Sequence, residues 1–278
     1  MAGVVAEVEK RLADLRLRQP EAATRTSVMT HVAWAPPRWA AAARKTLAGL
    51  EELHPSRTIL LFPEPSRGDS IDVDVALKCF TIPGSSRQVC SDVIELRLGG
   101  RRSRAPGSIV QPLLITDLPT FCRWRGLPPW EKSELEQLVD VCDRFVVDSS
   151  EWRGLPDAYG RLAALFDRTA VSDIAWGRGL GWRARLAQQW PEIGRVRKLA
   201  VTGPKADALL LAGWLRSRLG KRVGLVHRAS AELERVAVDG VAAPAPRAGA
   251  PTASDLLSAE LDVFGRDVVY EAAVLAST

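Results

Sequence analysis

The sequence predicts an α/β protein, with a mixed, largely parallel sheet flanked by helices and a smaller C-terminal α/β unit. Three observations carry that prediction. Short β-branched or apolar runs alternate along the chain with stretches of helical spacing. The run "SRTILLFP" is apolar without alternation, as in strands covered on both faces. Pro or Gly marks most changes of texture.

The elements follow in order. Val5, Val8, Leu12 and Leu15 recur at helical spacing, so Val5 to Leu17 reads as a helix that stops at or before Pro20. "TSVMTHVAW" (Thr26 to Trp34) reads as a strand closed by Pro36-Pro37. Arg38 to Leu53 is then a helix, with Trp39, Ala43, Leu47 and Leu50 on its apolar side, and Ser56 to Pro63 is the buried strand that completes a βαβ unit. Pro65 to Asp72 is a loop. "DVALKCFTI" and "VCSDVIELRLGG", joined by "PGSSRQ", form an antiparallel hairpin. A short helix opens "APGSIVQPLLITDLP", "PTFCRW" is a strand, Glu131 to Asp143 a helix and Arg144 to Ser150 a buried strand.

Beyond this point helices dominate, at Tyr159 to Asp167 and Trp182 to Trp190, separated by "VSDIAWGRGLG". A second unit starts near Arg195: strand "RKLAVTG", helix Ala206 to Leu219, strand "KRVGLVH" and strand "LERVAVDG". Composition then changes to Ala, Pro and Gly in "VAAPAPRAGAPTAS", before a helix from Ala253 to Phe264 and the final "DVVYEAAVL". The reading is therefore a main α/β domain over 1–192 and a smaller α/β domain over 193–278, with a mobile loop near 240–252.

Composition narrows the function classes. With 46% hydrophobic and 26% charged residues, the 278-residue chain has enough apolar surface to fold as a soluble protein. Its first twenty residues carry charges throughout and lack the apolar core of a secretory signal, and no run approaches the ~18 apolar residues of a membrane span, so no membrane partner and a cytoplasmic location are expected. Charge is uneven: 15 basic against 6 acidic residues from 151 to 230, and 3 against 8 from 231 to 278. The basic stretch suits an anionic partner, yet it has neither an aromatic ladder nor a nucleic-acid motif, so no nucleic acid is expected as a partner. Cys79, Cys90, Cys122 and Cys142 show no metal-ligand spacing and read as buried free thiols, with a redox role of Cys79 and Cys90 left open.

Catalytic signatures are missing: no G-x-G-x-x-G follows a strand, and there is no P-loop, no G-x-S-x-G and no H-E-x-x-H. "VTGPKADALL" turns from strand to helix through Gly203 with Lys205 nearby, but a single glycine does not make a phosphate cradle. His31, His54 and His227 read as structural or solvent-facing. No catalytic residue, cofactor or metal is therefore expected. What stands out is tryptophan, nine against two Tyr and six Phe. In "LPTFCRWRGLPPW" (Leu118 to Trp130) the prolines would hold Trp124 and Trp130 in fixed directions beside Arg125, and aromatic and Arg side chains are the usual anchors of protein interfaces. This loop, with the stretch Trp176, Arg178, Trp182 and Arg183, is the candidate partner-binding surface.

Seven blocks, in order, carry a resemblance: "ATRTSVMTHVAW", "HPSRTILLF", "CSDVIELRLGG", "SIVQPLLITDLPTFCRWRG", "DRFVVDSS", "SDIAWGRGLGWRARLA" and "LLLAGWLRSRLG". Together they resemble the OpcA family, the bacterial glucose-6-phosphate dehydrogenase assembly proteins, over about residues 22 to 220. Two positions depart from the family pattern: Arg123 precedes Trp124 where a tryptophan pair is usual, and no proline precedes Trp182. The resemblance implies a non-catalytic assembly factor or allosteric activator whose partner is glucose-6-phosphate dehydrogenase. The alternative, from the fold class alone, is a stand-alone sugar-phosphate-binding enzyme or sensor using the sheet's ligand crevice.

Overall fold

The unalternated apolar run identified above lies deep in a sheet: from Ser56 to Pro63 every side chain is buried. The computed structural model describes residues 2–18, 23–25, 27–50, 53–81, 84, 88–246 and 251–278. Contacts divide the chain into two compact units, Met1–Val146 with Ala253–Asp262, and Val147–Thr252 with Val263–Thr278.

The first unit runs α1 (Ala2–Arg16), β1 (Ala23–Arg25), β2 (Met29–Trp34), α2 (Ala40–Ala48), β3 (Ser56–Glu64), β4 (Ile71–Thr81), β5 (Gln88–Gly99), α3 (Pro106–Val110), β6 (Thr120–Trp124), α4 (Ser133–Asp140) and β7 (Arg144–Val147), whose last residue begins the second unit. Strands β5, β3, β2, β6 and β7 lie side by side and parallel. β1 pairs in parallel with the start of β5, and β4 pairs antiparallel along its length. The expected fold class, βαβ unit and hairpin are all present. The helix expected from Arg38 to Leu53 is shorter: Pro37–Trp39 is a 3₁₀ turn leading into α2, which ends at Ala48 with Gly49 as its C-cap.

The cysteine expectation needs correcting. The β4–β5 register sets Cys79 directly opposite Cys90, with Cα atoms 4.1 Å apart, and the two form a disulfide. The hairpin, not burial, decides their state, and Cys79 lies exposed on the outer strand. Cys122 and Cys142 form no disulfide and are buried as expected. A hydrogen bond with Cys142, and burial, push the Cys122 thiol well above its ordinary range.

The second unit contains α5 (Asp157–Ala163), β8 (Ala170–Asp173), α6 (Ile174–Arg178), α7 (Leu180–Ala187), β9 (Lys198–Gly203), α8 (Lys205–Leu219), β10 (Gly224–Ala229), β11 (Arg235–Val238) and β12 (Val241–Ala242). The chain then gives α9 (Ala253–Leu261) to the first unit and α10 (Val268–Leu275) to the second. β9 and β10 are parallel and joined through α8, while β11 pairs antiparallel with β9 and β12 with β11. Leu199, Val201 and Val236 of this sheet share a core with Ala208, Leu211 and Leu215 of α8. Gly220 ends α8 in the left-handed conformation, at φ 60°, that a residue with a side chain adopts only with strain. Parts of several expectations fall outside the described residues: the helix stop at Pro20, residue 26 of the strand expected to Trp34, residues 51–52 of the helix expected to Leu53, residue 82 and the hairpin turn at 83 and 85–87, and residues 247–250 of the loop near 240–252. Among the described residues no helix is long and apolar enough to cross a membrane.

Helices α8 and α10 meet closely at Gly213, where a Cβ would fall 2.1 Å from the Ala273 carbonyl oxygen and 2.2 Å from Ser277 Oγ. Ser277 Oγ already donates at 2.9 Å to Leu209 O or at 2.7 Å to Ala273 O, so the contact has no slack. Gly213→Ala is expected to lower the unfolding free energy by about 1–3 kcal/mol through overpacking, read as a reduced urea midpoint at unchanged slope. An unchanged midpoint contradicts the packing described.

Candidate partner interface at the carboxyl ends of the parallel strands

The order of connections locates the site. From β2 the chain passes through α2 to β3 and onward to β5 on one side, and then returns to place β6 on the other side of β2. In open parallel sheets the crevice outside the carboxyl ends of the two strands at such a reversal is where ligands bind. Here those strands are β2 and β6.

Both strands end in tryptophan. Trp34 and Trp124 are register partners, and their rings stack with centroids 5.0 Å apart and planes 18° apart. Both are buried, and Phe145 tilts against Trp124 from β7 at 6.3 Å. Each strand then runs into a Pro-Pro pair and a further tryptophan, "WAPPRW" after β2 and "WRGLPPW" after β6. The two exits are tied together: Arg125 N donates to Trp34 O at 2.9 Å, and the Arg125 guanidinium lies 4.6 Å over the Trp39 ring. Arg38 approaches the same ring at 5.8 Å. Gly126, at φ 80°, turns against this cluster so tightly that a Cβ would lie 3.1 Å from Trp39 Nε1 and 3.2 Å from Arg38 Nη2.

The accessible part of this edge is Pro37, Arg38 and Leu127, which are exposed, with Trp39, Arg125, Pro129 and Trp130 half-buried. Of the residues expected at a partner surface, Arg125 and Trp130 reach it. Trp124 does not; it supports the edge from beneath. Arg38 and Trp39 were missed because Trp39 falls on the apolar side of a nominal helix. The signal that finds them is the repeated pattern of a Pro-Pro pair between two tryptophans.

The stretch 176–183 belongs to the second unit and is mostly internal. Trp176 is buried and donates Nε1 to Asp267 at 2.9 Å, while Arg183 stacks 3.3 Å over its ring and donates to Trp176 O at 2.6 Å. Trp182 packs in the α8 core. Arg178 is clamped by Asp207 at 2.8 and 3.1 Å and by Asp148 at 3.4 Å. Burial works against its charge, but those carboxylates raise its pKa. Leu180, 63% exposed, is the side chain this stretch presents to solvent.

Beside Arg178 lies a fully buried carboxyl. Asp173 caps α6 by accepting from Ala175 N at 2.9 Å and also accepts from Ser149 N at 3.0 Å, with Tyr270 Oη at 3.4 Å. Burial, and then the charge of Asp148, lift its pKa to about 7. In the first unit His31 moves the other way, to about 4, through burial and then the charge of Arg123, so it is neutral inside the sheet.

A cleft of about 450 Å³ at the amino ends of the same parallel strands is lined by Ser27, Arg57, Ile115 and Leu118. The Arg57 guanidinium is already held by Asp92 at 3.1 and 3.2 Å, Glu9 at 3.3 Å and Leu113 O at 3.1 Å. Its donors are committed to the fold.

Residues 48–164 match the family described as glucose-6-phosphate dehydrogenase subunit N-terminal domain, and residues 169–246 the one described as its C-terminal domain. The chain belongs to the OpcA family. An OxPP cycle protein OpcA of Synechococcus elongatus is 28% identical over 178 residues, 60% of this chain and 40% of the relative. Its namesake in Nostoc punctiforme is 28% identical over 177 residues, 60% and 38% respectively. The matched part thus spans about two fifths of the length of these family members.

Asp173 yields a pH prediction. Its folded pKa lies above its unfolded value, so the stability it contributes is complete below about pH 4 and is lost as pH rises through about 7. Asp173→Asn keeps a capping oxygen but does not titrate. In urea unfolding, the stability of wild type relative to this variant is expected to fall between pH 5 and pH 8, by on the order of 1–3 kcal/mol. A pH-independent difference contradicts the assignment.

Proposed function

We propose that the protein is a non-catalytic binding partner of glucose-6-phosphate dehydrogenase, promoting its assembly or activation in the oxidative pentose phosphate route. The observation that carries this reading is the carboxyl edge of β2 and β6. At the place where an α/β enzyme holds its substrate, this chain stacks two tryptophans across the strand ends and covers them with Pro-Pro segments and guanidinium groups. Such an edge fits a protein surface better than a small molecule. Aromatic and Arg side chains held at low entropic cost are what interfaces use as anchors. Membership of the OpcA family, and the dehydrogenase named in both domain descriptions, support the choice of partner.

The direct contact in this proposal is Arg38, Trp39, Arg125, Leu127 and Trp130. Trp124 sets their height. Trp176, Arg178, Trp182 and Arg183 act by holding α6 and α7 in place, leaving Leu180 as the contact of that stretch. Such a protein acts through differential affinity alone: it must bind the active form or oligomer of the enzyme more tightly than the inactive one. A coupling of about 1–3 kcal/mol changes the enzyme's own ligand affinity or assembly some 5- to 150-fold.

The test is affinity for the dehydrogenase of the same organism, measured by titration with each partner purified. Arg125→Ala with Trp130→Ala is expected to weaken association at least about tenfold, the loss typical of removing interface anchors, while the unfolding midpoint stays near wild type. Full affinity in a folded double variant overturns the assignment of this edge. Turnover of a sugar phosphate by the isolated protein overturns the non-catalytic reading.

A further inference from the structure

The four-stranded sheet of the second unit has one face under α8 and the other open. Side chains alternate along each strand, so Leu199, Val201, Leu225, Val236 and Val238 turn toward the helix. Positions 198, 200 and 202 of β9, 224, 226 and 228 of β10, and 235 and 237 of β11 turn away from it. Cross-strand register arranges these outward positions in rows. Arg228, Thr202 and Arg235 form one, and Val226, Ala200, Ala237 and Ala242 the next. Lys198, opposite Gly224, follows.

Two features of this face stand out. Arg228 and Arg235 are exposed, and among the described residues neither side chain has an ion pair or hydrogen bond. Other exposed arginines, such as Arg97, Arg153 and Arg222, share this state; what sets Arg228 and Arg235 apart is that they stand in one cross-strand row. The two arginines stand two strand spacings apart, about 10 Å, on either side of the Thr202 hydroxyl. The row beside them is small and apolar: Val226 is 45% exposed, Ala200 half-buried and Ala237 buried. No outward position of β9, β10 or β11 carries an acidic side chain.

We infer that this sheet face is a docking surface for an acidic segment of another protein, with Arg228 and Arg235 pairing its carboxylates and Val226, Ala200 and Ala242 receiving its backbone and aliphatic carbons. Charge complementarity selects that occupant. Two unpaired guanidinium groups and a hydroxyl in line suit successive carboxylates, which they bind in forked geometry. The face has no aromatic side chain on which bases stack, so it lacks what a single-stranded nucleic acid uses. It also differs in kind from the β2–β6 edge, where aromatic rings dominate, and it does not depend on which enzyme that edge meets.

The experiment uses the full chain and a fluorescent peptide of about twenty glutamates as the acidic probe, with a single-stranded oligonucleotide of the same length beside it. The peptide is expected to bind with an affinity that falls as salt rises, and Arg228→Ser with Arg235→Ser to weaken it at least tenfold. Arg218→Ser with Arg222→Ser removes the same charge from the end of α8 and the turn after it, and is expected to cost less than threefold. Unfolding midpoints show that both variants are folded. Equal losses in the two double variants, or no loss in the first, overturn the inference by showing that net charge alone is read. Tighter binding of the oligonucleotide than of the peptide, abolished by Arg228→Ser with Arg235→Ser, overturns it in favour of nucleic acid.

Discussion

Parallel strands deliver their ends to the same edge of a sheet, and here that edge is closed by Trp34 stacked on Trp124. The pair removes two large rings from water and holds β2 and β6 in register where the direction of the connections reverses. Everything accessible at the site leaves from these two residues. Pro36, Pro37, Pro128 and Pro129 then fix the direction of each exit, and the stacking of Arg125 on Trp39 fastens one exit to the other. The aromatic edge is thus a consequence of the core beneath it.

The second unit uses the same residue types for the opposite purpose. Trp176, Trp182 and Arg183 are turned inward, and Arg178 serves the buried Asp207 and the half-buried Asp148. Asp173 is buried beside them at the amino end of α6 and accepts two backbone donors. A network in which each charged group has a partner orients helices without leaving anything for a ligand. On the far side of α8, by contrast, the arginines of the sheet's outward face have no carboxylate partner among the described residues. The difference lies in what surrounds each guanidinium, and composition does not contain it.

That is also where legibility in the sequence ends. The βαβ unit of β2, α2 and β3 was readable because an unalternated apolar run, a helical repeat and Pro punctuation agree locally. The β4–β5 hairpin was readable from period-2 runs around a Gly/Pro turn, yet the disulfide across it was not, since Cys79 and Cys90 become opposite only once the register is set. Strand β8 is four residues long and leads straight into α6, so its pattern was absorbed into the helical texture around it. At the candidate site, "LPTFCRWRGLPPW" covers β6 and the exit that follows it. The other exit was hidden because "PPRW" continues into an alanine-rich helix and lends it an apolar residue. Burial separated Trp124 from Trp130 only through the strand's end, which falls between them.

The central claim is that the β2–β6 carboxyl edge is the surface that meets the dehydrogenase. Hydrogen–deuterium exchange of the protein alone and with saturating dehydrogenase tests it most directly, because it reads the whole chain without altering a residue. The account predicts protection concentrated in peptides covering 36–47 and 125–135. Unchanged exchange in both, with protection confined to other segments, contradicts it.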